Sequence, residues 1–261
     1  MAADSIFARI LVGVDGSEAG YEACRQAARL AGPESAIEAV AVVDLSDAFW
    51  AAHNAPAARE QLERDAEAAL EQAAGLLGAR ARTRLVDGPE GGVLLHEAER
   101  TAATLVAVGW HGHPRIEEIL IGGVVGELLH TPVCSVLVAR PAGDPDAFPR
   151  SVAVGFDGSP AAGCALDTGE HLAATLRIPL RVITATPAED LDLEPIRQRY
   201  PSVEEIDGHP VDALVGASEQ TDLLVVGSRG LSGLRALGSV SERVAHEAAC
   251  SVLVVRPPRE G

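Results

Sequence analysis

Aromatic side chains are scarce in this sequence: Phe, Trp and Tyr make up 3% of its 261 residues. Apolar residues nevertheless reach 47%, so the core has to be built from Val, Leu, Ile and Ala. Such a composition suits parallel β-sheets that are buried on both faces. The length is sufficient for one large α/β domain or for two small ones, each with enough residues for a buried core.

Cationic side chains are too few to balance the acidic ones, and the formal net charge is −17. A protein with this charge repels a phosphate backbone, which argues against nucleic acid as a partner. The charge does not exclude a nucleotide, because main-chain N–H groups can supply positive potential locally.

The sequence also lacks paired cysteines. Its four cysteines, at positions 24, 134, 164 and 250, include no CxxC pair and show no metal-ligand spacing to a histidine cluster. We interpret them as reduced thiols that pack in the core. No stretch approaches the ~18 apolar residues of a membrane span, and the N-terminus has no long apolar run after a basic start. We therefore expect a cytoplasmic protein with no membrane partner.

Three blocks of sequence occur twice, in the same order. The pairs are RILVGVDGSEAG (9–20) with RSVAVGFDGSPAAG (150–163), TLVAVGWHG (104–112) with DLLVVGSRG (222–230), and CSVLVARP from Cys134 with CSVLVVRP from Cys250. An internal repeat of this kind indicates two structural units of the same fold.

The segment between the two halves, 140–150, is rich in proline and acidic residues and is typical of an exposed linker. We predict a first domain over 1–143, a linker over 144–148 and a second domain over 149–261.

Strands and helices alternate within the first half. Short β-branched runs predict strands at Ile10–Val14, Ile37–Val43, Ala81–Val86, Leu105–Val108 and Ser135–Val138. Helical patterns lie between them, at Ser17–Leu30, Pro56–Leu77, Val93–Thr101 and Val124–His130. This alternation predicts right-handed crossovers and a parallel sheet. The second half repeats it, except that Thr186–Ser202 has room for only a short helix between the second and third strands.

Both fourth strands end in a glycine loop. The first loop contains Gly109, Gly112, Gly122 and Gly123, and the second contains Gly227, Gly230, Gly238 and Ser239. Without Cβ, a backbone can adopt φ > 0 and approach an oxygen-rich ligand closely. The last two residues of each loop open the next helix, whose N–H groups and dipole favour an anion.

These loops, together with the VGVDGS-like end of the first strand and the apolar last strand, resemble the universal stress proteins. The resemblance covers nearly the whole chain, twice. It implies an α/β fold of two tandem doubly wound domains, each with a five-stranded parallel sheet in the order 3-2-1-4-5. It also implies a nucleotide at the switch point between strands 1 and 4. Some members of the family bind ATP and others do not. The ligand that the resemblance implies for this chain is ATP with Mg²⁺.

The resemblance also assigns roles by position. It places Asp15 and Asp157 beside the ribose, phosphates or metal, and the main chain of Val42 and Ala185 against adenine. The glycines and Ser239 correspond to the phosphate loops. The sequence departs from the family pattern twice: Gly123 stands where a hydroxyl residue is usual, and the second loop is two residues short.

Three functions fit this sequence: a nucleotide-binding regulator in stress response, a nucleotide-free dimerising interaction module of the same fold, and a hydrolase. Hydrolysis is expected to be slow or absent, because the sequence offers no general base or arginine finger. A haloacid-dehalogenase-type phosphatase needs a nucleophilic Asp where Gly13 and Gly155 stand. The glycines after strand 1 have the wrong spacing for a dinucleotide fold, and His111 and His113 lack a third metal ligand.

Two expectations concern assembly. The apolar last strands, Val136–Val138 and Val252–Val255, are predicted to pair within an intramolecular pseudo-dimer, since an exposed apolar edge promotes aggregation. The short connection in the second half is expected to leave apolar surface that a homodimer would cover.

Overall fold

The structure is a computed structural model, and it describes residues 5–44, 55–110, 123–131, 133–144, 147–186, 194–228 and 239–257. The strands of the first half are β1 (Arg9–Val14), β2 (Ala36–Val43), β3 (Arg82–Asp87), β4 (Leu105–Gly109) and β5 (Ser135–Ala139). Its helices are α1 (Glu18–Leu30), α2 (Ala55–Leu77), α3 (Glu90–Arg100) and α4 (Val124–His130).

The second half repeats this order of elements. Its strands are β6 (Val152–Gly155), β7 (Leu180–Thr186), β8 (Glu204–Asp207), β9 (Leu223–Gly227) and β10 (Ser251–Val255). Its helices are α5 (Pro160–Leu176), α6 (Glu194–Arg199), α7 (Pro210–Ser218) and α8 (Val240–Glu247).

All ten strands form one sheet in the order β3-β2-β1-β4-β5-β10-β9-β6-β7-β8. Each half is parallel within itself and has the predicted order 3-2-1-4-5. The halves meet at β5 and β10, which pair antiparallel with Val138 opposite Val252 and Val136 opposite Val254. The predicted pairing of the two last strands is therefore observed, and neither strand is left at an edge of the sheet.

Helices cover both faces of the sheet. Alternate strand residues point to opposite faces, so Val12 packs in one layer with residues of α1, α2 and α5, whereas Leu11 packs in the other with residues of α3, α4, α7 and α8. Each layer contains side chains from both halves, so the cores continue across the join between β5 and β10. None of the helices in the ranges given above is both long and apolar enough to cross a lipid bilayer.

The connection between the halves is less exposed than its composition predicts. Arg140 is 3% exposed and Phe148 is 2% exposed, so the interpretation of 140–150 as an exposed linker is wrong at these two residues. Phe148 packs in the layer that contains α1, and its carbonyl oxygen accepts a hydrogen bond from Arg29 Nε at 3.2 Å. The connection therefore contacts α1 through Phe148. The boundaries at 143 and 149 remain a prediction.

The short connection in the second half contains the short helix α6, as predicted. Ile196 of this helix is buried, and Tyr200 and Val203 pack against the same core. The large apolar side chains that are exposed in the described ranges are Leu62, Trp110 and Val240, and none belongs to β7 or β8. The expected homodimer therefore stays a prediction without a continuous apolar patch to support it.

Candidate functional site

An opening between β1 and β4 lies at the carboxyl ends of the strands in the first half. The two strands pair only as far as Val12 and Ala107, although β1 continues to Val14 and β4 to Gly109. The helices that follow them, α1 and α4, pack on opposite faces of the sheet, so the chain diverges at this point. Such a switch point is where open α/β sheets bind ligands.

The second half has the equivalent opening. The pairing of β6 with β9 ends at Val154 and Val225, whereas β9 continues to Gly227. The helices α5 and α8 again lie in different layers. The repeated sequence therefore produces two candidate sites.

Val42 lies on the rim of the first opening. The pairing of β1 with β2 ends at Val14 and Ala41, but β2 stays paired with β3 as far as Val43 and Asp87. The end of β2 therefore projects past β1, and its main chain is at the rim.

Ala185 has the same position in the second half. There β6 and β7 pair as far as Gly155 and Ile183, and β7 and β8 as far as Thr186 and Asp207. Both residues assigned to adenine are thus next to the openings.

Asp15 lies directly after β1, at the base of the first opening. Its Oδ1 accepts hydrogen bonds from Ser17 N at 3.0 Å and from Ser17 Oγ at 2.6 Å. Ser17 Oγ in turn accepts from Gly20 N at 3.1 Å and caps α1. Gly16 between them has φ = 79°, which a residue with Cβ rarely adopts. Asp15 therefore fixes the serine that starts the helix, and both of its bonds in this turn use Oδ1.

Asp157 forms the same turn after β6. Its Oδ1 accepts from Ser159 N at 3.0 Å, Gly158 has φ = 75°, and Ser159 Oγ accepts from Ala162 N at 3.2 Å. The two aspartates are not helix caps themselves. They hold the serines that are, and this leaves room for a second role at the opening.

Gly109 and Gly227 are glycines because a helix lies against them. A Cβ at Gly109 would be 2.6 Å from the carbonyl carbon of Ala19, and one at Gly227 would be 2.3 Å from the carbonyl oxygen of Ala161. Neither glycine has a positive φ, so the explanation by backbone freedom is wrong at these two positions. The first turns of α1 and α5 instead pack directly on the ends of β4 and β9, and they form one wall of each opening.

The helices after the two glycine loops begin differently. Gly123 is the N-cap of α4 and makes no side-chain capping bond, and a Cβ added there would meet no atom of the described residues within 4 Å. Ser239 is the N-cap of α8, and its hydroxyl accepts from Glu242 N at 3.3 Å. Four further predicted loop residues, Gly112, Gly122, Gly230 and Gly238, lie outside the described residues.

Arg140 is a residue near the first opening that sequence analysis did not select. Its guanidinium lies 4.9 Å from the ring centroid of Trp110, the residue that follows Gly109. The guanidinium also donates to the carbonyl oxygens of Ala245 and His246 at 2.8 and 2.9 Å. Burial lowers the pKa of Arg140 to about 10, so the side chain remains a cation at neutral pH. The sequence signal that could have identified Arg140 is its recurrence in both closing blocks, CSVLVARP and CSVLVVRP.

Comparison with known proteins agrees with this architecture. The model of the universal stress protein family matches residues 7–140 and 193–256. The chain belongs to the universal stress protein family. A universal stress protein of Mycolicibacterium smegmatis is 30% identical to it, and the match covers 95% of this chain and 97% of that protein. A universal stress protein of Mycobacterium tuberculosis is 27% identical, with coverage of 95% and 96%.

The crystal structure of a universal stress protein from Archaeoglobus fulgidus has the same fold. It superposes with a TM-score of 0.79 at 19% sequence identity, and the match covers 98% of both chains. Because these relatives match along their whole length, this chain is a tandem universal stress protein and both halves have counterparts.

Proposed function

We propose that this universal stress protein binds an adenine nucleotide, ATP with Mg²⁺, and acts as a regulatory protein in stress response with little or no hydrolysis. The observation that carries the proposal is that the ends of β1 and β4 do not pair with each other, which leaves an opening with the main chain of Val42 on its rim and Asp15 at its base. The same arrangement recurs at Ala185 and Asp157.

The residues at the first opening fit the parts of a nucleotide. Main-chain N–H and C=O groups at the projecting end of β2 suit the hydrogen-bonding edge of adenine. Asp15 uses Oδ1 in its turn, and Oδ2 is suited to accept a bond from a ribose hydroxyl or to bind Mg²⁺. The phosphates of a bound nucleotide would place negative charge beside the N-termini of the helices that follow β1 and the glycine loop. By the resemblance to the family, these phosphates would lie against the glycine loops.

The same geometry is unsuited to fast hydrolysis. With Oδ1 of Asp15 held in its turn and Oδ2 bound to the ribose or to Mg²⁺, no oxygen of this carboxylate would be left to accept a proton from an attacking water. A bound nucleotide that is not consumed can bias the conformation or association of the protein. We place this function in the cytoplasm, within a chain whose halves act as an intramolecular pseudo-dimer.

A nucleotide-free interaction module of the same fold is the second candidate. The observation in its favour is that Gly109 and Gly227 are required for packing against α1 and α5, so these glycines need no ligand to explain them. In this case the surface of the paired halves would be the functional part, and a homodimer would extend it.

Nucleotide extraction and titration distinguish the two candidates. The purified protein is denatured, the supernatant is analysed for ATP and ADP by chromatography, and the stripped protein is titrated with Mg²⁺–ATP by calorimetry. We expect micromolar binding, which corresponds to about 8 kcal/mol. Absence of released nucleotide together with absence of binding at millimolar ATP would leave the interaction module.

Substitution of the aspartates localises the site. We expect Asp15→Ala to weaken ATP binding about tenfold, a loss of about 1.4 kcal/mol, whereas Arg64→Gln on the exposed face of α2 should bind as the wild type does. The first half is the stronger candidate, because it has the full helix α2 and the longer loop. Equal affinities in the wild type, Asp15→Ala and Asp157→Ala would confine the aspartates to their turns.

A further inference from the structure

A cavity lies at the amino ends of the strands in the first half, which is the opposite end of the sheet from the β1–β4 opening. It has a volume of about 490 Å³ and is lined by residues at the amino ends of β1, β2 and β3, which is within the usual range of small-molecule sites. The six residues of β1 separate it from Asp15, a distance of roughly 20 Å at ~3.3 Å per residue. The cavity is therefore separate from the proposed nucleotide site.

The walls of the cavity are positively charged in an acidic protein. The charged residues that line it are Arg9, Arg80, Arg82 and Arg100 with Glu34 and Glu38, four cations and two anions, in a chain of net charge −17. The sequence contains no lysine, so all 21 of its cationic residues are arginines. A local excess of positive charge on such a surface attracts anions to the cavity.

Arg100 forms a fixed part of the wall. Its Nε donates to Glu97 Oε2 at 2.6 Å and its Nη2 donates to Glu38 Oε1 at 2.7 Å. Glu97 is buried behind the cavity and also lies 3.2 Å from Arg84 Nε. One of the two carboxylates of the cavity, that of Glu38, is thus already paired with a cation.

Arg82 differs from Arg100. Its side chain is exposed at the start of β3, and within the part of the chain that the structure describes it has no ion pair or side-chain hydrogen bond. Two other arginines of the lining are already hydrogen-bonded: Arg80 donates to the carbonyl oxygen of Pro33 through Nη1, and Arg9 donates to that of Ala102 through Nε at 2.6 Å. Each of these bonds uses one nitrogen of a guanidinium, whose planar fork of donors matches two oxygens of a phosphate or carboxylate.

The second half shows that the fold does not need these arginines. Ile10 pairs with Leu105, and Val152 pairs with Leu223, so Arg9 corresponds to Ser151. The other matches follow in the same way. The pairs Val42–Val86 and Ala185–Ile206 align β3 with β8, and the residues before β4 and β9 are aligned by counting back from Leu105 and Leu223. Arg80, Arg82 and Arg100 correspond to Tyr200, Ser202 and Ser218.

We propose that this cavity binds a small oxyanion with two or more negative charges, a polyphosphate or a polycarboxylate, through the guanidinium of Arg82 together with Arg80 and Arg9 of the same lining. The site would give the first half a second ligand, at the opposite end of its strands from the nucleotide. It depends on the charges at the amino ends of β1–β3 alone, so it stands whether or not ATP binds.

Calorimetric titration of the full chain with inorganic pyrophosphate and, separately, with citrate tests the proposal. We expect at least one of them to bind with Kd below about 1 mM at low ionic strength, and the stronger of the two identifies the class of ligand. Arg82→Gln should weaken this binding about tenfold or more and leave Mg²⁺–ATP affinity unchanged. Arg64→Gln on α2 is the matched control, since it removes the same charge away from the cavity.

Amide chemical shifts in the labelled full chain locate the bound anion. Shifts confined to Ile10, Ile37 and their neighbours would support the site, whereas shifts confined to Gly109 and Gly227 would place the anion at the nucleotide openings and overturn it. The proposal is also overturned if neither anion binds the wild type at 10 mM, or if Arg82→Gln and Arg64→Gln bind equally well. Because Arg82 is exposed, we expect its variant to fold, and an unchanged melting temperature checks this.

Discussion

Arg140 and Arg256 make reciprocal contacts between the two halves of the sheet. Arg140 follows β5 and donates to the last carbonyl groups of α8, whereas Arg256 follows β10 and donates to Leu128 and Leu129 at the end of α4, at 3.2 and 2.7 Å. Each guanidinium thus binds the negative end of a helix dipole in the other half. The antiparallel pairing of β5 and β10 places the two arginines in equivalent positions.

Replacement of Arg140 should destabilise the whole chain. Arg140→Ala removes three charged hydrogen bonds, to the carbonyl oxygens of Cys250, Ala245 and His246, so we expect the free energy of unfolding in urea to fall by about 3 kcal/mol. Arg140→Lys keeps the charge but not the fork, and should lose roughly half as much. Arg64→Ala should change stability by less than about 0.5 kcal/mol. A loss at Arg140 no larger than that control would contradict the role assigned to the contact.

Alanine at Gly109 or Gly227 should be poorly tolerated. The new Cβ would be within 2.7 Å of the backbone of Ala19 or Ala161, so a helix has to shift, and we expect a cost of about 2–3 kcal/mol. Gly163→Ala in α5 is the control: among the residues that the structure describes, its Cβ meets no atom within 4 Å, and the higher helix propensity of alanine should stabilise the protein by about 0.5–1 kcal/mol. Thermal melts of the three variants would test the argument, and equal shifts would refute it.

The two helices after the glycine loops offer a matched pair of cap variants. Ser239→Ala removes the bond to Glu242 N and should lower the free energy of unfolding by about 1 kcal/mol. Gly123→Ser adds a hydroxyl at a position with φ = −74° where a Cβ meets no atom of the described ranges within 4 Å, and should raise the free energy of unfolding by about 0.5 kcal/mol. Chemical denaturation measures both. A loss of stability in Gly123→Ser would show that the start of α4 is not an ordinary N-cap.

Alkaline pH should destabilise the protein through two buried thiols. Burial raises the pKa of Cys24 and of Cys250 from 9.0 to about 12. The folded thiols therefore keep their protons between pH 9 and 12, where the unfolded thiols lose them, so stability falls as pH rises through this window. The expected loss is about 1 kcal/mol per thiol between pH 9 and 10, because the unfolded thiol is already half deprotonated at pH 9.

The variant Cys24→Ala/Cys250→Ala isolates this effect. Its stability at pH 8 will be lower because of lost packing, but its further decrease on going to pH 10 should be smaller than that of the wild type by up to about 3 kcal/mol. Urea denaturation at the two pH values gives both numbers. An identical decrease in the two proteins would mean that other groups control the alkaline limit.

Most of the fold could be predicted because the sequence contains the same pattern of strands and helices twice. The matched blocks locate the strands on either side of each opening, and the predicted helix from Val124 to His130 has the observed bounds. The pairing of Val136–Val138 with Val252–Val255 followed from two short apolar strands that could not stay at an edge. Phe148 was missed because composition shows that a segment is polar on average, and not which of its side chains turns inward.

The candidate site was predictable in its position but not in its detail. The order 3-2-1-4-5 puts Asp15 and Gly109 at one opening, whereas the contact of Gly109 with Ala19 depends on how α1 packs, for which the sequence has no local signal. The arginine cavity was not found, because Arg9, Arg82 and Arg100 are far apart in the chain and only the sheet register brings them together.

The join between β5 and β10 has a consequence for how this protein behaves on dilution. Two separate subunits that share a sheet lose their partner when they become scarce, so their stability depends on concentration. Here the partner is attached by the short segment 140–150, which replaces association in solution by a fixed local concentration. The ten-stranded sheet should therefore stay intact at any dilution. The two halves can also differ in sequence, as their unequal glycine loops show. Two separate subunits that differed in this way would form a mixture of homodimers and heterodimers, whereas the joined halves form one species.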